Sequence, residues 1–203
     1  MYHAVSDNIW GIEDLFVSPR KLESQLQYLR DNGYTTVTFE SFPIPADITK
    51  PIILTFDDGY RCNYEELFPL LKAYEAKATI FICSSFIGRS QYLTRAQIIE
   101  MSESGLVSFQ CHTSTHPDLT SRSAASQRDE YTTNAAVIEE LTGKAPIALA
   151  YPIGAHNNTV VSVASEYFTY AVTTRYGKWK EGSDLLRIPR VRMSRGTNIS
   201  SVL

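Results

Sequence analysis

An apolar run, Ile52, Ile53, Leu54, Thr55 and Phe56, ends in Asp57, Asp58 and Gly59, and further along the chain His112 and His116 stand four positions apart in CHTSTHPDL. The first segment reads as a strand that delivers two adjacent carboxylates. One carboxylate and two imidazoles, with open positions left over, are a donor set that hydrolytic and oxidative centres use to hold a divalent ion. If Asp58 is the ligand, Asp57 stays free to take a proton from a water that the ion acidifies, which is the other half of a hydrolysis. Simpler readings stand beside this one. Asp-Asp-Gly also ends strands as a polar turn, with Gly59 at positive φ and the aspartates capping the next helix. Two histidines at this spacing also occur on helical faces. Pro117 and the Thr and Ser content of HTSTHP argue against a helix, so both histidines are expected on a loop leaving a Val107 to Cys111 strand. It is the joint occurrence of the acid pair and the imidazole pair that favours a metal site.

TFDDG followed by H-S/T-x-x-H-P resembles the first two motifs of the polysaccharide deacetylases, NodB-like carbohydrate esterases that remove acetyl groups from N-acetylated or O-acetylated sugars. The resemblance runs along nearly the whole chain. Met1 to Val5 is similar to the family's opening strand, Phe16 to Phe42 to its first helix and second strand, Tyr92 to Val107 to the segment leading into the histidines, and Ala148 to Gly154 to its third motif. The resemblance implies that Asp58, His112 and His116 bind a divalent metal, most often zinc with cobalt, nickel or iron(II) as substitutes, and that Asp57 is the general base.

Two departures from the family pattern carry consequences. The third motif is ordinarily R-P-P-Y/F-G, whereas here Ala150, Tyr151, Pro152, Ile153 and Gly154 stand in its place, so the arginine that steadies the base is missing. The AYPxG form resembles the subgroup acting on exopolysaccharides such as poly-N-acetylglucosamine. The family holds its oxyanion with the backbone N–H after this proline, here that of Ile153, and a backbone donor survives a change of side chain. The family's late L-x-H motif, the source of its usual acid, has no counterpart between Arg187 and Leu203.

Expelling an amine as its anion is prohibitive at neutral pH, so a protonated group is still required. Of the four histidines, His3 and His156 remain. His3 ends the first expected strand, in the Tyr-His position where the exopolysaccharide subgroup presents a histidine to the active site, so the resemblance makes it the favoured acid; His156, just past Gly154, is the reserve. Arg190 and Arg192 could supply the positive charge that Ala150 does not, since an arginine beside Asp57 would keep that carboxylate ionised; Arg190 is also a candidate substrate contact. Tyr60, Tyr151, Tyr176 and Trp179 could stack on pyranose faces, with Tyr151 and Trp179 the leading substrate-binding candidates.

The elements that must position these groups alternate. Ser18 and Pro19 open a helix striped by Leu22, Leu26 and Leu29 and stopped by Asn32 and Gly33; Thr35 to Phe39 reads as a strand, and Leu67, Leu70, Leu71 and Tyr74 mark a helix near 63–74. Strands are expected at Ala78 to Cys83, Ile147 to Tyr151 and Tyr170 to Thr174, and helices from Thr94 through Met101 and from Ala124 to Leu141. Alternation with functional residues at strand ends predicts an α/β fold, a distorted, incomplete (β/α) barrel of about seven parallel strands with its chemistry at their carboxyl ends. The family resemblance implies the same.

At 203 residues with 43% apolar content, residues 1–203 are read as a single catalytic domain. A net charge of −3 without a basic stripe excludes a nucleic-acid role. No stretch approaches the roughly 20 apolar residues of a membrane span, so a soluble protein is expected. No amino-terminal leader is legible, and location stays open between cell envelope and cytoplasm. Cys62, Cys83 and Cys111 form no CxxC pair and are read as buried thiols. Strand alternation turns Cys111 away from His112's face.

The reading is of a metal-dependent hydrolase that removes acetyl groups from N-acetylated sugars. Three rivals use the same residues: an O-acetyl esterase, an amidohydrolase of a small non-sugar amide, and a sugar-binding protein that has lost catalysis.

Overall fold

The computed structural model describes all residues from Met1 to Leu203. Along the chain run β1 (Ala4–Val5), β2 (Phe16–Val17), α1 (Pro19–Asp31), β3 (Thr35–Val37), β4 (Pro51–Ile53), β5 (Thr55–Phe56), α2 (Phe68–Tyr74), β6 (Ala78–Ile82) and α3 (Arg95–Glu103). Then follow β7 (Val107–Cys111), α4 (Ala124–Thr142), β8 (Ala148–Ala150), α5 (Asn158–Ala164), β9 (Tyr170–Tyr176) and β10 (Ile188–Arg190). Strands β5 to β10 lie side by side in chain order as a six-stranded parallel sheet, flanked by the small parallel pairs β1–β2 and β3–β4.

The outer strands of the sheet meet through the first two residues. Tyr2 N–H donates to Thr55 O (2.8 Å) and Asp57 N–H to Tyr2 O (3.0 Å), while the Met1 amine donates to Val191 O (2.7 Å) and Met193 N–H to Met1 O (2.9 Å). The sheet thereby curls into a distorted barrel whose seventh member is only Met1 and Tyr2. This is the uneven, roughly seven-stranded closure expected from the sequence.

Strands β6 and β7 are buried at all five positions each, as parallel strands covered on both faces must be. Alternation sends Ile80 and Ile82 outward into the main core beneath the helices, and Phe81 inward against Phe39, Val172 and Ile188. Inside the barrel the Gln110 amide does ladder work: its Oε1 accepts from Ile147 N–H and Ala148 N–H (both 2.8 Å), and its Nε2 donates to Ser108 (2.9 Å) and Glu40 (3.2 Å). That ties β7 to β8 where only one residue pair, Cys111 with Leu149, is in register.

The helices start where the sequence says. Ser18 accepts from Lys21 N–H (3.1 Å), Thr94 and Gln97 cap each other reciprocally, and Ser123 accepts from Ser126 N–H (3.2 Å). Leu22, Leu26 and Leu29 bury α1, each contributing about 1.5–3 kcal/mol. Three details differ from expectation. The strand after α1 ends at Val37, because Thr38 caps a short turn over Phe39–Ser41. The next helix opens as a wide π-turn over Asn63–Leu67, since Pro69 lacks the amide that would bond the Glu65 carbonyl. Helix α5 was not foreseen: its Val160, Val161 and Val163 read locally as strand, yet Asn157 caps it through Val160 N–H (2.9 Å) and the valines fill a core with Leu149 and Tyr131. No helix is long and apolar enough to cross a membrane.

Candidate active site

Because all strands point one way, the segments that leave β5, β7, β8 and β10 converge at one mouth of the barrel, as does His3 after Tyr2. Asp57 is buried at 3% exposure and meets Arg190, itself 6% exposed, in a two-pronged pair: Nη1 to Oδ1 and Nη2 to Oδ2, both 2.7 Å. Arg190 also donates through Nη1 to Thr55 Oγ1 (3.2 Å) and through Nε to Thr173 O (3.0 Å), so its fork is fixed across β5, β9 and β10. Burial by itself would raise the Asp57 pKa; the guanidinium overrides it and holds the carboxyl well below the usual carboxylate range.

Asp58 turns away from Asp57, its backbone left-handed at φ 74°, and Gly59 continues the turn at φ 72°. A Cβ at Gly59 would lie 2.7 Å from Ile82 Cγ2, so the turn is also closed to larger residues. Asp58 Oδ1 stands 3.4 Å from His112 Nε2 and 3.7 Å from His116 Nε2, and the three candidate donor atoms all lie within 4.8 Å of one another. The Nδ1 of His112 is engaged by Ala150 O at 2.7 Å, which fixes the tautomer and leaves Nε2 as a lone-pair donor facing Asp58. Ligands about 2.1 Å from one tetrahedral zinc ion lie roughly 3.4 Å apart. The donor set and its spacing therefore fit a divalent cation. Burial pulls the pKa of both imidazoles down; the Asp58 carboxylate more than restores that of His112 and does not restore that of His116.

Five non-glycine residues have positive φ, and four of them, Asp58, Thr113, His116 and Ile153, stand in this site. Such conformations cost about 1–3 kcal/mol each and persist where a function requires them. Ile153, at φ 53° on the turn Pro152–Gly154, presents an exposed side chain and an amide with no protein acceptor. His3 Nε2 lies 4.0 Å from Asp57 Oδ2; burial lowers its pKa, and the Asp57 and Asp58 carboxylates oppose that.

The sequence-based substrate contacts fare differently. Tyr151 is 1% exposed, its hydroxyl donates to Leu186 O (3.0 Å), and its ring packs in the core under α5, so it has no face for a sugar. Trp179 packs edge-on against Phe42 (6.4 Å), which in turn lies on Tyr170, the first residue of β9. The long loop after β9 has carried it back toward the amino-terminal strand ends, away from Asp57. Arg190 contacts Asp57 and not solvent; the alternative role foreseen for it, replacing the charge lost at Ala150, is the one its geometry supports. Arg192 is exposed, on the segment that follows the end of β10 at Arg190. His156 stacks on Tyr151 (5.1 Å, 18°) and engages Gly154 O through Nδ1 (2.8 Å). Tyr176 is 72% exposed at the end of β9. The aromatic groups that do flank the histidines are Phe86, 6.3 Å from the His116 ring, and the stacked pair Tyr60 and Tyr92 (5.2 Å). Of these only Tyr60, beside the DDG turn, had a signal in the sequence.

A parallel barrel that brings a carboxylate and two imidazoles able to hold a metal, with a second, arginine-held carboxylate, to one mouth has the distorted-barrel form of the NodB-type hydrolases. Comparison with known proteins agrees. The family model for polysaccharide deacetylase matches residues 46–172, more than half of the chain. The chain belongs to the polysaccharide deacetylase family. It is 36% identical to a polysaccharide deacetylase from Bacillus cereus, with a TM-score of 0.93 over 98% of this chain and 65% of that one. A Streptococcus pyogenes deacetylase solved in complex with acetate is 30% identical, with a TM-score of 0.89 over 98% of this chain and 92% of its own. A poly-beta-1,6-N-acetyl-D-glucosamine N-deacetylase of Staphylococcus epidermidis is 27% identical over 90% of this chain and 70% of its own length. The chain thus spans somewhat under two thirds of the Bacillus cereus structure.

Proposed function

We propose that residues 1–203 form one catalytic domain that removes acetyl groups from N-acetylated sugars of a glycan, with Asp57 as the base. The observation that carries this reading is a carboxylate kept ionised by a buried, two-pronged arginine, standing next to the Asp58, His112 and His116 donor set without belonging to it. Poly-N-acetylglucosamine, the substrate in the name of the Staphylococcus epidermidis relative, is the polymer to test first.

Two nitrogens and one carboxylate suit zinc, with cobalt, nickel or iron(II) as substitutes in the same site. Because Arg190 makes Asp57 a weak base, the water it deprotonates has to be acidic; Asp58, His112 and His116 would hold a divalent cation, which would supply that acidity and polarise the acetyl carbonyl. Asp57 accepts the proton as the water oxygen bonds to the acetyl carbon. The unengaged Ile153 N–H donates to the oxyanion that forms, a contribution of about 3–4 kcal/mol for one well-placed donor. Burial lowers the His3 pKa against the opposing pull of Asp57 and Asp58, which favours the neutral imidazole. Its Nε2 stands 4.0 Å from Asp57 Oδ2, so a bridging water or a small closing movement lets it receive the proton and pass it to the sugar nitrogen as the C–N bond breaks. Acetate and a free amine result. Tyr60, Tyr92 and Phe86 offer ring faces to the sugar beside the histidines.

The neutral resting state of His3 also supports a second reading, an O-acetyl esterase, since an alkoxide departs with less help than an amine. Acetate release from N-acetylglucosamine oligomers and from an acetyl ester separates the two. The wild-type protein is expected to hydrolyse the amide. His3→Ala should slow it by about 10²–10⁴-fold and slow the ester far less. No acetate from the amide would favour the esterase, and equal losses on both substrates would remove His3 as the acid.

A further inference from the structure

The loop that carries both histidines is held from outside the site by two polar side chains on α4. Asn134 is fully buried, and its Nδ2 donates to Thr113 O (2.6 Å) and to Ile82 O (2.9 Å). Ile82 O, at the end of β6, also accepts the His112 N–H (3.1 Å), so one amide group ties the residue after His112 to the carbonyl that holds His112 itself. One helical turn earlier, Glu130 accepts from both Thr115 N–H (2.8 Å) and Thr115 Oγ1 (2.6 Å), immediately before His116. Between these anchors the chain adopts left-handed backbone at Thr113 (φ 67°) and His116 (φ 58°), which neither residue would hold unaided. Inside the loop a single bond, His116 N–H to Thr113 Oγ1 (3.0 Å), spans the turn. Asn134 Oδ1 has no partner, so nothing except the two carbonyls sets the orientation of this amide.

We infer that Glu130 and Asn134 are positioning residues for the metal site, a clamp on α4 that holds the His112–His116 loop in the one backbone conformation that aims both imidazoles at Asp58. Neither touches Asp57, Asp58 or a donor nitrogen. The clamp acts by restricting the loop before any ion arrives, so its loss is read in ion affinity, as for outer residues that orient metal ligands generally. The inference rests on the ligand assignment above, and the test is built to tell the two apart.

Zinc affinity is measured by competition with a chromophoric chelator, and folding by thermal denaturation of the metal-free protein. Glu130 is half-buried, so Glu130→Ala is expected to leave the metal-free transition within a few degrees of wild type while weakening zinc binding about 10–100-fold. Glu130→Gln, still able to accept one of the two bonds, should lose less. Asn134→Ala should weaken zinc at least as much, and Asn134→Asp, which sets a carboxylate against two carbonyl oxygens at unchanged size, more still; if either fails to fold, the Glu130 pair decides. Wild-type zinc affinity in folded Glu130→Ala, with Asp58→Asn abolishing binding, would overturn the clamp alone. Wild-type affinity in Asp58→Asn would overturn the ligand assignment and the clamp with it.

Discussion

Asp57→Asn is expected to keep its zinc and to lose turnover by about 10²–10⁴-fold, the usual weight of a positioned base. Asparagine matches aspartate in shape and sits outside the Asp58, His112 and His116 donor set, so ion affinity should stay near wild type. What it lacks is a lone pair basic enough to take a proton from water. It also leaves the buried Arg190 with no negative partner and only one acceptor oxygen at position 57 where it had two. Removing one partner of a buried ion pair costs about 3–5 kcal/mol, and turnover must accordingly be compared at a temperature where the metal-free variant is still folded. Zinc binding with activity intact would take the role of base away from Asp57.

Arg190→Met breaks the same pair from the other side and should destabilise the protein by a similar amount, about 3–5 kcal/mol. The pH dependence distinguishes this from simple loss of packing. In wild type the Asp57 pKa is depressed below its ordinary 3.8. The pair's contribution is therefore complete above that pH and lost only as pH falls through more acid values. Without Arg190, burial, the largest influence on Asp57, is opposed only by His3 and His112 and raises the pKa. The metal-free variant should then be most stable at acid pH and lose stability as pH rises and the buried carboxylate is forced to ionise. Asp57→Asn combined with Arg190→Met should be more stable at neutral pH than Arg190→Met alone, because no uncompensated charge remains. A double variant destabilised by the sum of the two single losses would mean that the pair carries no coupling energy.

The candidate donor set of Asp58, His112 and His116 was legible because an ion restricts donor types so narrowly: an acid pair ending an apolar strand and two histidines before a proline have few joint uses. The barrel followed from strands and helices that alternate with functional residues at strand ends. Arg190 was half legible, since the run Leu186 to Met193 showed two arginines but not which one faces inward; positions two apart share a strand face, so alternation could not choose between them, and it is the end of β10 at Arg190 that leaves Arg192 exposed. Tyr151 and Trp179 misled for different reasons. Tyr151 lies on the face of the β8 extension that α5 covers, and α5 itself was hidden by valines whose local preference for strand is overridden by packing. Trp179 sits on a loop whose return path depends on contacts with Phe42, distant in sequence. Glu130 and Asn134 gave no signal, because on a helix as polar as α4 a side chain that clamps a loop looks like one that meets solvent.

The measurement that bears most directly on this account is acetate released from N-acetylglucosamine oligomers by one preparation in two states, stripped of metal by a chelator and then restored with equimolar zinc. Release should fall to background in the stripped protein and return with zinc, with Asp58→Asn failing to recover. Undiminished release from the stripped protein, or full recovery by Asp58→Asn, would contradict hydrolysis at an ion held by Asp58, His112 and His116.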